Sequence, residues 1–269
     1  MVEIITAEAR IAEAKNAKTK LLLQGVPGIG KTSQLKTFKE PWLFIDMEGG
    51  DMAVMDTAVD SLRIRTWEDA LDIACLVGGV DPSVSSGDFS NEHFERAEAK
   101  YGKREKVLGK YSGIFFDSLT VMSRLCLKWA FDQPECLNKQ GVLDKRAGYG
   151  ILASSMMKLL THCQHTRDKH IVFVSILEWV VDDYGRGAWV MQAEGAKIAR
   201  ELPGIVDVCL VMAMEKTGQK DANGADIMAR CMFTNADNEY GYPAKDRSGK
   251  LDAKEAPDLQ KILNKIQSK

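Results

Sequence analysis

Eight residues constrain this chain more than any others: Gly25-Val26-Pro27-Gly28-Ile29-Gly30-Lys31-Thr32, which fit the pattern GxxxxGK[ST]. The run follows a short apolar stretch, residues 20–24 (KLLLQ), and precedes residues 32–38, which read as a helix. A strand, a glycine-rich turn and a helix in that order make a cradle for phosphate. The glycines let backbone N–H groups curl around an anion, and the helix N-terminus adds partial positive charge. Lys31 is placed to reach β- and γ-phosphates, and the Thr32 hydroxyl to ligate Mg²⁺, with Ser33 beside it. ATP and Mg²⁺ are the cofactors this pattern implies.

The rest of the chain supplies a setting for such a loop. Apolar runs at 42–47 (WLFIDM), 61–65, 113–117 (GIFFD) and 171–177 (IVFVSIL) read as strands, separated by helical patterns at 67–77, from 118 to about 131, and at 148–165. Segments 206–214 and 228–234 flank a polar turn, 218–224, as a β-hairpin does. Alternating strands and helices predict an α/β fold: a mostly parallel twisted sheet flanked by helices, with an antiparallel C-terminal hairpin. At 269 residues the chain suits one domain, 1–269, with a helical lead-in (1–18), a charged insertion (79–110) and a helical tail (250–269). Within the insertion, 92–108 reads as a solvated helix. Its Lys100, Lys103, Arg104, Lys106 and Lys110 alternate with Glu98 and Glu105, a pattern better suited to salt bridges than to nucleic acid.

Composition excludes some classes. No apolar run is long enough for a bilayer, and the N-terminus lacks a signal-peptide pattern. The six cysteines are scattered without a CxxC pair, as in reduced core positions of a cytoplasmic protein. A net charge of −2 gives no global signal for nucleic acid.

A phosphate loop needs acidic partners. Asp117 ends the 113–117 run, and ligands collect at the carboxyl ends of parallel strands, so Asp117 is the expected Mg²⁺ partner, supported by Ser118. Asp46 and Glu48 follow the second strand at i, i+2 spacing and are able to face one site, where a carboxylate orients and deprotonates the attacking water. A helix cap followed by a loop is the structural alternative for that pair. His162 and His165 have i, i+3 spacing but no carboxylate or thiolate partner facing them, which argues against a metal.

The succession of phosphate loop, FID-x-E (44–48), TWEDAL (66–71) and an apolar strand ending in Asp117-Ser118 resembles the RecA core of ATPases. Segments 202–207 (LPGIVD) and 244–251 (AKDRSGKL) are similar to the Sak-type single-strand annealing ATPases of phages. The resemblance implies that Glu48 is the catalytic base and that Lys245 and Arg247 reach the nucleotide of a neighbouring subunit. It further implies a homo-oligomer, filament or ring, that binds single-stranded DNA and promotes annealing or strand pairing, with a single-strand-binding protein as a further candidate partner. One departure concerns the sensor: RecA carries a Gln at the end of the strand before its DNA loop, whereas here Ser175-Ile176-Leu177-Glu178 stands there, leaving Ser175 or Glu178.

Two loops offer DNA contacts. Residues 138–148 carry Lys139, Lys145 and Arg146, and residues 179–195 mix Tyr184, Arg186 and Trp189 with glycines. Bases stack on aromatic rings while cations follow the backbone, although Asp182 and Asp183 oppose phosphate. Alternatives are an AAA-type loader or remodeller of a replication protein, and a nucleotide-switched binding module with negligible turnover. A nucleotide kinase fits less well, since no Arg-rich lid or acceptor pocket is visible.

Overall fold

A computed structural model describes residues 6–9, 17–137 and 140–268. Lys139 and most of the 1–18 lead-in lie outside them. The centre is a parallel sheet built from β1 (Lys20–Gly25), β2 (Trp42–Asp46), β3 (Asp60–Arg63), β4 (Gly113–Asp117) and the first part of β5 (His170–Val181). The first stretch of β7 (Val208–Lys220) extends it beyond β1. The order across the sheet is β7-β1-β5-β4-β2-β3, so one strand, β5, separates the loop-bearing β1 from β4. Antiparallel strands complete it. β6 (Gly187–Met191) folds back on β5, β8 (Asp226–Phe233) pairs with β7, and the short β9 (Lys245–Asp246) and β10 (Lys254–Glu255) pair with β7 and β8. This is the α/β architecture expected, with its antiparallel C-terminal hairpin.

Period-two alternation sorts the apolar runs between two cores. Leu22, Ile45, Phe116 and Phe173 face a layer containing α1 (Trp67–Gly78), α4 (Leu119–Phe131), α5 (Lys145–Gln164) and α6 (Ala196–Ile205). Leu21, Leu23, Phe44, Phe115 and Val174 face the other way, against Leu35 and α7 (Leu259–Gln267). The stripe Leu259, Ile262, Leu263 and Ile266 on α7 has the i, i+3, i+4, i+7 spacing that covers one face. Capping residues start the long helices: Thr66, Ser118 and Asp144 each accept a backbone N–H from the first turn that follows.

Three expectations need correction. Residues 32–38 do not form an α-helix: Thr32–Thr37 is a six-residue 3-10 helix, which brings little macrodipole to the loop. The 92–108 segment is two helices, α2 (Asn91–Tyr101) and α3 (Arg104–Leu108), parted at Gly102, whose φ is +107°. It is also packed rather than solvated on all sides, because Phe89, His93, Ala97 and Leu108 are buried. Of the cations, Lys103 pairs with Glu98 inside the segment, as the charge alternation implies, while Lys100 reaches Asp69 and Asp72 and Arg104 reaches Asp168, all outside it. Finally, 179–195 is not mainly loop. β5 runs on to Val181 and returns as β6 after a tight turn at 182–186.

Candidate nucleotide site

The phosphate loop leaves the carboxyl end of β1 in a backbone path that only glycine accepts easily. Gly28 and Gly30 have φ of +76° and +105°, and a Cβ on Gly25 would lie 2.7 Å from the Met212 carbonyl oxygen. Lys31 folds over the loop, its Nζ donating to the carbonyls of Gly25 (2.8 Å) and Val26 (3.0 Å). Burial holds its pKa below the usual lysine value, while Asp117 and Glu48 pull the other way. Both direct acceptors are neutral, so a phosphate entering the loop supplies the charge that this ammonium lacks.

Asp117 meets the loop from β4. The Thr32 hydroxyl donates to Asp117 Oδ2 at 2.6 Å. The carboxyl is 4% exposed, and burial pushes its pKa up to about 6; nearby Glu48 and Asp46 act in the same sense, Thr32 and Lys31 against it. A buried carboxylate beside a hydroxyl, destabilised by its own charge, fits a divalent cation, which offsets that penalty. Mg²⁺ keeps several waters and takes few protein ligands. The described residues hold no group of three or more His, Cys, Asp or Glu placed to bind a metal.

Glu48 joins this cluster through Ser118, whose Oγ donates to Glu48 Oε1. A second tie fixes the loop: Met47 N–H donates to the Asp117 carbonyl at 2.9 Å. Asp46 and Glu48 therefore have different tasks. Asp46 Oδ1 accepts from the N–H groups of Glu48 (3.1 Å), Gly49 (2.7 Å) and Gly50 (3.1 Å), shaping the turn that presents Glu48. Glu48 itself is exposed, where water has access.

Other sequence-predicted residues fall in distinct places. Ser175 is fully buried, and its hydroxyl donates to the Ile176 carbonyl. Glu178 accepts from Gln192 Nε2 at 3.2 Å. Gln192 carries no signal in the sequence, because only the β5–β6 return brings it to Glu178. Its carbonyl also accepts from Thr120, two residues beyond Ser118. Lys145 and Arg146 do not lie in a loop as expected but are exposed on the first turn of α5, which Asp144 caps and so starts ahead of residue 148. Arg186 pairs with Asp182 at 2.8 Å and lies over Tyr184, while Trp189 packs between Trp179 and Tyr242. Lys245 and Arg247 stand at the amino edge of the sheet, opposite the phosphate loop. Lys245 donates to the carbonyls of Pro203 and Val206, and Arg247 to that of Gly204, all at the end of α6. His162 is buried and stacked on Phe89 at 3.8 Å, with its pKa pushed down to about 4 by burial.

A glycine-rich loop with its lysine, a Thr–Asp pair and a tethered glutamate, at the carboxyl edge of a parallel sheet, define a P-loop NTPase. The chain belongs to the AAA domain family, whose model matches residues 17–248. No curated protein matches the chain. No helix of the described residues is long and apolar enough to cross a membrane.

Proposed function

We propose that this AAA-domain protein hydrolyses ATP and, as a homo-oligomer, uses the nucleotide cycle to bind and anneal single-stranded DNA. The observation that carries the hydrolytic part is the chain of contacts from Lys31 through Thr32 and Asp117 to Ser118 and Glu48. Lys31 holds the β- and γ-phosphates. Thr32 and Asp117 hold Mg²⁺, which neutralises phosphate charge when bound. Glu48 orients a water and takes its proton as oxygen attacks the γ-phosphorus and the bond to ADP breaks.

The DNA part rests on the carboxyl edge. The β5–β6 hairpin offers Tyr184, Trp179 and Trp189; Trp189 meets Trp179 edge-on and Tyr242 at a tilt, and Tyr242 stacks on Tyr240, each pair with centroids 5.4 Å apart. α5 runs antiparallel to the β5 it feeds, so Lys145 and Arg146 face the same edge. Sak-type annealing activity is the narrower reading that the 202–207 and 244–251 segments suggest. A loader or remodeller of a replication protein is the second reading, favoured by the exposed apolar tip Trp179, Val180 and Val181. ATPase rates with and without single-stranded DNA, double-stranded DNA and RNA separate the two. Stimulation by single strands supports the first reading, and indifference to all three nucleic acids sinks it.

A further inference from the structure

Arg230 sits on β8 opposite Met214 of β7. Strand alternation puts it on the same face as Met232, which is fully buried with Ile29 and Leu35 in the core beneath the phosphate loop. One step further out along that face, Arg230 reaches the loop itself. A Cβ on Gly30 would lie 3.7 Å from the guanidinium carbon and 3.8 Å from Nε. Among the described residues this guanidinium makes no hydrogen bond or ion pair. Its neighbours on the same hairpin do: Lys216 pairs with Asp226 at 2.7 Å, and Glu215 takes Lys254. An unpaired guanidinium therefore stands beside a loop that already holds the ammonium of Lys31, with no protein carboxylate bound to it.

The geometry points to Arg230 as a second phosphate ligand acting within its own subunit. It binds the phosphate chain of a nucleoside di- or triphosphate in the 25–32 loop, from the β7–β8 side of β1. Thr32, Asp117 and Glu48 approach from the β4 and β2 side. The planar guanidinium presents two parallel N–H donors to two phosphate oxygens, which an ammonium cannot match. Its place beside Gly30, across β1 from Glu48, makes it a binding group for ADP and ATP alike rather than an activator of water. This inference rests on the nucleotide-binding reading of the loop.

Equilibrium titration of the full chain with fluorescent ADP and ATP analogues, in Mg²⁺, tests it. Arg230→Ala weakens both nucleotides by roughly ten- to a hundredfold, the loss of one charge-assisted pair. Arg230→Lys recovers only part, because the charge returns without the fork. Lys216→Ala, on the same hairpin, leaves both affinities unchanged. Arg230 is exposed, so folding is not at risk, and matching thermal melts check that. Wild-type affinity for both nucleotides in Arg230→Ala, with binding lost in Lys31→Ala, would overturn the role of Arg230 alone. Weakening of ATP but not ADP would overturn the shared binding role. Absence of binding by the wild-type chain would overturn the nucleotide reading and this inference together.

Discussion

Lys31 has only neutral carbonyls as direct partners, although it is buried and close to two carboxylates. Lys31→Ala is expected to abolish ATP binding, read by titration with a fluorescent analogue, since unchanged affinity would remove Lys31 from the site. Glu48→Gln keeps shape and hydrogen bonding but cannot take a proton. Near-normal binding with hydrolysis reduced at least roughly tenfold is expected, and a fully active variant would transfer the base to another carboxylate. Asp117 makes a different statement, about stability. Its carboxyl titrates near 6 when folded and near 3.8 when not, so the folded state holds the proton more tightly. As pH rises from about 4 past 6, the unfolded chain releases its proton first and stability falls. The full penalty above that window is about 3 kcal/mol at 1.36 kcal/mol per tenfold. Asp117→Asn should therefore be the more stable protein at pH 8, with the difference vanishing near pH 4 in denaturant unfolding. It should still hydrolyse ATP poorly.

At the scale of elements, the 79–110 segment separates what a sequence pattern shows from what packing decides. Its charge alternation reads correctly as salt-bridged surface, but four apolar or aromatic positions among many charges do not announce a buried face. Phe89 is 1% exposed and stacks on His162, which joins the segment to α5. Phe89→Ala should cost about 3–5 kcal/mol in denaturant unfolding, as large core truncations do. It should also let the His162 pKa climb from about 4 toward ordinary values, followed by NMR titration. A loss under about 0.5 kcal/mol, the usual surface effect, would restore the solvated-insertion reading. Strands buried on both faces were the most legible elements, and β4 falls on the expected 113–117, because so short an apolar run between turn residues is too brief for a helix and suits a strand covered on both faces. The phosphate loop was legible for a similar reason, since its glycines and lysine answer to one backbone path. The β5–β6 hairpin was not legible. Glu178 ends the apolar run that marks the buried part of β5, while the strand continues through Trp179, Val180 and Val181 with both faces in solvent. The 3-10 form of residues 32–37 escaped as well, since a segment that short lacks a period to read.

For the whole molecule, the edge on which each cation lies decides what it is able to reach. Lys145 and Arg146 share the carboxyl edge with the loop and the aromatic hairpin. If they follow a strand, binding of single-stranded DNA falls with salt at a log–log slope of roughly −0.7 per phosphate neutralised, and removing both flattens it. No binding at low salt with ATP and Mg²⁺ would count against the annealing function. Lys245 and Arg247 lie at the opposite edge, paired through β9 with the first residues of β7, a full strand length from their own phosphate loop. Any nucleotide they serve must belong to another subunit. Hydrolysis per subunit should then rise with protein concentration. Arg247→Ala should bind ATP nearly as the wild type does, because the loop is intact, yet hydrolyse it poorly. Its bond to the Gly204 carbonyl allows a competing account in which the variant merely loosens the end of α6. Mixing Arg247→Ala with Lys31→Ala distinguishes the two. In mixed assemblies an intact loop on one subunit meets an intact Arg247 from the other, and activity returns, whereas a variant damaged within its own fold gives no recovery from any partner. Failure to complement, in a mixture that light scattering shows to co-assemble, would confine Arg247 to holding α6.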